Sequence, residues 1–104
     1  MSFKEYQRQA HEWTSQFTPQ YWPPQNIYLR LGEEVGELAR EINHRFGPKP
    51  KKPAEQTIEL GDEIADIFFT LICLANSQRI DLDEAWERMM EKYSNRDKDR
   101  FAKA

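Results

Sequence analysis

Between residues 53 and 78 the chain carries no Lys and no Arg, and it changes character halfway along. The first half is acidic. At about 100° per residue, Glu55, Glu59, Asp62, Glu63 and Asp66 fall on one stripe of a helix. The second half, Ile67-Phe68-Phe69-Thr70-Leu71-Ile72-Cys73-Leu74-Ala75, is apolar on nearly every side. A helix of that kind must be covered all round, and this run is far too short for a bilayer, which takes about 20 residues. The chain therefore folds as helices gathered around this one. In a 104-residue protein the siblings are few, so a second subunit is the natural further cover.

Three other helices are legible. Ser2-Phe3-Lys4-Glu5 has the spacing of a capping box, and Phe3, Tyr6, Ala10, Trp13 and Phe17 then recur at helical spacing, predicting a first helix over about residues 3–17. Pro19, Pro23 and Pro24 make a stiff connection. A second helix begins near Gln25, has Tyr28, Leu31, Val35, Leu38 and Ile42 as its apolar seam, and stops at Gly47-Pro48. Residues 47–53 read as a loop, and the acidic and apolar helix then runs over about 54–78. Asp81-Leu82-Asp83-Glu84 is another capping pattern, opening a fourth helix with Leu82, Ala85, Trp86, Met89 and Tyr93 on its apolar side. Residues 95–104 are a charged, weakly patterned tail. The expectation is an all-α protein, a four-helix bundle in a single domain over residues 1–104.

Like charges three or four residues apart destabilise a helix by roughly 0.2–0.5 kcal/mol per pair. Several such pairs stack here without a local partner. Glu55 and Glu59 are partly excused, because acids favour a helix N-terminus. Glu63 and Asp66 lie deeper, directly before the apolar run, and buried carboxylates need a cation or a proton. The cation is either Lys or Arg from another helix or a divalent metal. Helix two offers a second acid set, with Glu34 and Glu37 three apart and Gly36 between them leaving room for close approach. Carboxylate oxygens from two adjacent helices form a hard ligand set suited to Mg²⁺ or Mn²⁺. The competing reading of helix two is a solvated face, with Glu34 paired to Arg30, Glu37 to Arg40 and Glu41 to Arg45.

The residues just reached resemble the MazG-like all-α nucleoside triphosphate pyrophosphohydrolases. Glu34-Val35-Gly36-Glu37-Leu38 is similar to the family's first acid pair, and Glu63-Ile64-Ala65-Asp66 to its second. The apolar run after Asp66, followed by Ile80-Asp81-Leu82-Asp83-Glu84-Ala85, resembles the family's entry into its last helix. Together these cover roughly residues 20–96. Glu59-Leu60-Gly61-Asp62 also fits the second pair, and Glu63 with Asp66 is preferred because the apolar run follows Asp66 directly. The resemblance implies a Mg²⁺-dependent enzyme, with Mn²⁺ as a possible substitute, that hydrolyses a nucleoside triphosphate to monophosphate and pyrophosphate. It implies Glu34, Glu37, Glu63 and Asp66 as metal ligands and catalytic carboxylates. Lys92, Asn95 and Arg96 resemble the family's phosphate-binding segment, although they also fit solvated groups at a helix C-terminus. Trp22 lies where relatives contact the base; it fits a stacking platform or a core aromatic that anchors its loop.

Other features bound the setting. A net charge of −3 argues against a duplex nucleic-acid partner. The single cysteine, Cys73, reads as a small core hydrophobe in a reducing compartment. Residues 1–10 are polar with no signal-peptide core, so the expectation is a cytoplasmic protein, a homodimer or homotetramer, with no membrane partner. The alternative is a non-catalytic helical dimer that binds a nucleotide or acts as a scaffold.

Overall fold

The computed structural model describes residues 2–48, 53–97 and 99–100, with side chains of 53–58 set aside. Four helices follow one another: α1 (Phe3–Thr14), α2 (Pro24–Phe46), α3 (Pro53–Ser77) and α4 (Leu82–Asp97). No strand occurs among the described residues. Most of the expected loop over 47–53, the end of the charged tail and the Glu55 side chain fall outside them.

Helix starts follow their caps. The Ser2 hydroxyl accepts from the Glu5 amide at 3.4 Å, and the Asp81 carboxylate accepts from the Glu84 amide at 3.1 Å. Pro24 stands at the first position of α2, where its missing N–H costs nothing. Helix α1 ends at Thr14, one turn before the periodicity predicts. The reason lies in two hydroxyls: Thr14 Oγ1 donates to the Ala10 carbonyl at 2.9 Å, and Ser15 Oγ to the Glu12 carbonyl at 2.7 Å. Side chains that compete for carbonyls in this way favour a helix end. The Ile80 amide closes α3 on the Ala75 carbonyl at 2.9 Å, with Arg79 in the left-handed region at φ 57°.

The helices pack in the spatial order α2, α3, α1, α4. Asp83, in the first turn of α4, caps the start of α1 by accepting from the Phe3 and Lys4 amides, both at 3.1 Å. Gln7 ties α1 to the turn after α3, donating to Asn76 Oδ1 at 2.9 Å and to the Ile80 carbonyl at 2.8 Å.

Helix α2 is turned differently from its predicted seam. Its buried residues are Ile27, Glu34 and Glu41, with Leu31 and Leu38 half-buried beside them. Tyr28, Val35 and Ile42 are exposed. The acids of α2 thus face α3 and part of its apolar face looks outward. On α3, Ile64, Phe68 and Leu71 are also exposed, and of the run from Ile67 to Ala75 only Thr70, Ile72 and Ala75 are buried. Among the described residues the apolar core is correspondingly small: Ala10, Ile27, Ile72 and Ala75. The radius of gyration is 17.1 Å, where a compact chain of about 100 residues gives about 13 Å.

Candidate functional site

The packing of α2 against α3 brings their acids together. One carboxylate oxygen each from Glu34, Glu37 and Glu63 lie within 4.8 Å of one another. The site exists because Glu34 and Glu37 are one helical turn apart on the inward side of α2, opposite Glu63 on α3. Glu34 is 2% exposed. Its Oε1 accepts from Arg30 Nη2 at 2.7 Å, whereas its Oε2, and Oε2 of Glu63, are buried with no hydrogen-bond partner.

Such a cluster resists ionisation. Burial, followed by the charge of Glu37 and the close approach of its carboxyl, and then by the charges of Glu34 and Asp66, pushes Glu63 up to about 7. Glu34 is also held above the ordinary glutamate range, by burial first; Arg30 opposes the shift, and Glu37 and Asp66 add to it. Two buried oxygens without donors, in an all-carboxylate set, fit a hard divalent cation, which would supply the missing positive charge. Asp66 stands outside the close trio but lines the adjoining cavity with Glu34.

That cavity measures about 560 Å³. Trp13, Phe17, Trp22 and Phe69 give it aromatic walls, and Arg30, Glu34 and Asp66 close its acidic end. Trp13 meets Phe69 edge-on at 5.9 Å and Phe17 at 5.0 Å between ring centroids. Cys73 also lines it, half-buried, with burial pushing its thiol up to about 11. It is therefore a neutral thiol at ordinary pH rather than a thiolate nucleophile. A second cavity of about 820 Å³, almost entirely apolar, opens between α1 and α3 beside Tyr6, Ile64 and Phe68.

Of the residues singled out from sequence, Glu34, Glu37 and Glu63 meet, Asp66 adjoins them, and Trp22 lines the neighbouring cavity with 54% of its surface exposed. Lys92, Asn95 and Arg96 are exposed on α4, which packs on α1, and they line neither cavity. Arg96 pairs with Asp97 at 2.9 Å and lies over the Tyr93 ring. Glu41 and His44 have the Glu-x-x-His spacing that di-iron bundles use twice. Here it occurs once, and the two side chains approach each other at 3.7 Å. Sequence reasoning missed the cavity walls: Trp13 and Phe17 read as core positions of a long first helix, and only the hydroxyl pair at Thr14 and Ser15 signalled an earlier end.

Residues 23–101 match the MazG nucleotide pyrophosphohydrolase domain, a span that includes all four acids. The YpjD protein of Bacillus subtilis is 46% identical over 102 residues, covering 98% of this chain and 92% of that protein. Its crystal structure superposes with a TM-score of 0.81 at 45% identity, covering 89% of this chain and 95% of that one. The crystal structure of a Bacillus-conserved MazG protein, a nucleotide pyrophosphohydrolase, superposes with a TM-score of 0.80 at 37% identity, covering 95% and 96%. Bovine dCTP pyrophosphatase 1 is 37% identical over 70 residues, which span 64% of this chain and 41% of that enzyme.

Proposed function

The chain belongs to the MazG nucleotide pyrophosphohydrolase family, and from that premise we propose that it is a Mg²⁺-dependent hydrolase of nucleoside or deoxynucleoside triphosphates, yielding the monophosphate and pyrophosphate. The observation that carries this reading is the pair of buried, partnerless oxygens on Glu34 and Glu63, within a three-carboxylate cluster beside an aromatic cavity. Glu34, Glu37 and Glu63 would hold the cation, with Asp66 completing the set from the cavity side. The bound cation supplies charge neutralisation for the phosphate chain. Water attacks the α-phosphorus, the bond between that phosphorus and the bridging oxygen breaks, and the electron pair leaves with pyrophosphate. A carboxylate of the cluster accepts the water's proton. The cavity takes the base, with Trp22 offering an exposed indole face for stacking.

Several observations support a homodimer or homotetramer. Tyr28, Val35 and Ile42 on α2, and Ile64, Phe68 and Leu71 on α3, stay exposed in the single chain. The chain exposes 8257 Å², where a compact 12.4 kDa monomer is expected to expose about 6,100 Å². The excess is the order of surface that a subunit interface buries. A second copy is also the source we assign for further phosphate-binding groups: the cations Lys92 and Arg96 and the Asn95 amide. No helix among the described residues is long and apolar enough to cross a membrane. A nucleotide substrate, a net charge of −3 and a lone unpaired thiol fit a cytoplasmic enzyme without a duplex nucleic-acid partner.

The test is a mass-spectrometric screen of natural and damaged nucleoside triphosphates with Mg²⁺ in ¹⁸O-labelled water. Monophosphate carrying the label, together with pyrophosphate, is the expected outcome. Absence of turnover across the panel, or release of orthophosphate instead, overturns the reading. A scaffold without catalysis, the other reading open to the sequence, does not fit a family of hydrolases.

A further inference from the structure

Among the described residues, Arg30 is the only Lys or Arg lining the aromatic cavity, and it stands where that cavity meets the acids. Its guanidinium bridges two carboxylates, reaching Glu34 at 2.7 Å and Glu33 at 3.1 Å. The two partners differ. Glu33 is well exposed, and its pair with Arg30 contributes little. Glu34 is buried, and its Oε1 takes the shorter of the two contacts from Arg30. Arg30 itself is about half exposed, so its head can leave without opening the core.

We propose that Arg30 is an exchangeable counter-ion: it neutralises Glu34 while the acid cluster lacks a divalent cation, and moves to a phosphate oxygen of the nucleotide once that cation takes the carboxylate. The inference rests on the metal-dependent reading above and adds a residue to it. A divalent cation shared by Glu34, Glu37 and Glu63 repels a guanidinium on the same Glu34 and weakens its hold there. A triphosphate with its base in the cavity and its phosphates on the cluster has to pass the seam that Arg30 occupies. Guanidinium meets phosphate as readily as carboxylate, with the same forked geometry. The side chain therefore moves from one anion to another, staying on the half-exposed rim throughout.

Isothermal titration of Mn²⁺ into nucleotide-free wild type, R30M and R30K tests the first half. Losing a competitor and a positive charge raises Mn²⁺ affinity in R30M by about fivefold, the scale of one ion pair. R30K, which keeps the charge, stays near wild type. Circular dichroism accompanies each variant to establish that it is folded. The second half is read from the α,β-methylene analogue of whichever triphosphate the wild type turns over, titrated at saturating Mn²⁺. Its binding weakens by about tenfold or more in R30M, as expected for a lost charge-assisted contact, and by less in R30K. Mn²⁺ affinity that falls or stays level in R30M overturns the exchange, because Arg30 would then be orienting Glu34 or standing by. Unchanged analogue binding overturns the phosphate role. Wild type that binds no Mn²⁺ removes the metal reading itself, and the proposal with it; wild type that binds Mn²⁺ while R30M behaves identically removes the proposal alone.

Discussion

Replacing Glu63 by Gln should stabilise the metal-free protein at alkaline pH and deprive it of its response to metal. The folded protein holds Glu63 at about 7, against an ordinary value of 4.5. Between those values the native state keeps a proton that the unfolded chain has released, so stability falls as pH rises through this window, and the loss is complete above about 7. A gap of about 2.5 pH units at 1.36 kcal/mol each bounds the loss at about 3.4 kcal/mol. Water screening at a partly exposed residue, and a load shared with Glu37, reduce this to about 1 kcal/mol. Glutamine has the same shape and cannot ionise. In EDTA at pH 8, Glu63→Gln should therefore melt about 4–8 °C above wild type. Most of that gap should close at pH 4.5, where wild-type Glu63 is protonated in the folded state and half-protonated in the unfolded one. Saturating Mn²⁺ reverses the order: at a hundredfold excess over Kd the wild type gains about 2.7 kcal/mol, and the variant, lacking a ligand, gains far less. Differential scanning fluorimetry of both proteins across these three conditions is sufficient. Equal melting of the two proteins in EDTA at pH 8, or equal stabilisation of both by Mn²⁺, would refute the account of the cluster as repelling charges awaiting a cation.

Two further outcomes are expected. Trp22→Ala removes an exposed indole from the cavity wall and should raise KM about tenfold, in line with one lost base stack, while kcat and the melting temperature barely move; an unchanged KM returns Trp22 to the role of a loop anchor. Phe68→Asp places a charge on the uncovered face of α3, where the single chain leaves the ring 51% exposed. Sedimentation should show the oligomer dissociating towards monomer, and an unaltered assembly would mean that this face is not the interface.

The four helices were legible because their ends are written in residues with local physical effects: Ser2 and Asp81 as caps, Pro23 and Pro24 marking the break before the second helix, Gly47-Pro48 as a stop. The acid pair on α3 was legible because no Lys or Arg lies between residues 53 and 78 to answer it, whereas the pair on α2 had arginines within reach. What sequence could not supply was rotation. Periodicity places Tyr28, Val35 and Ile42 on one apolar side of α2, yet the side turned to α3 is that of Ile27, Glu34 and Glu41. A stripe shows which residues avoid water, and a neighbouring subunit can satisfy it as well as a sibling helix. Arg30 illustrates the same limit. Three Arg–Glu pairs on α2 stood three or four residues apart, and only the packing singled out Arg30–Glu34 by burying Glu34 next to a cavity. The phosphate-binding assignment of Lys92, Asn95 and Arg96 had no such support, because nothing in the sequence states that α4 lies against α1 on the far side of α3.

The small apolar core has a bearing on how such a protein behaves at low abundance. With only Ala10, Ile27, Ile72 and Ala75 as buried apolar residues among those described, a lone chain has little with which to hold itself together. If copies complete one another, dilution acts as a denaturant: the melting point becomes a property of the solution as much as of the polypeptide, climbing with protein concentration. A newly synthesised chain would then gain its durability at the moment of pairing.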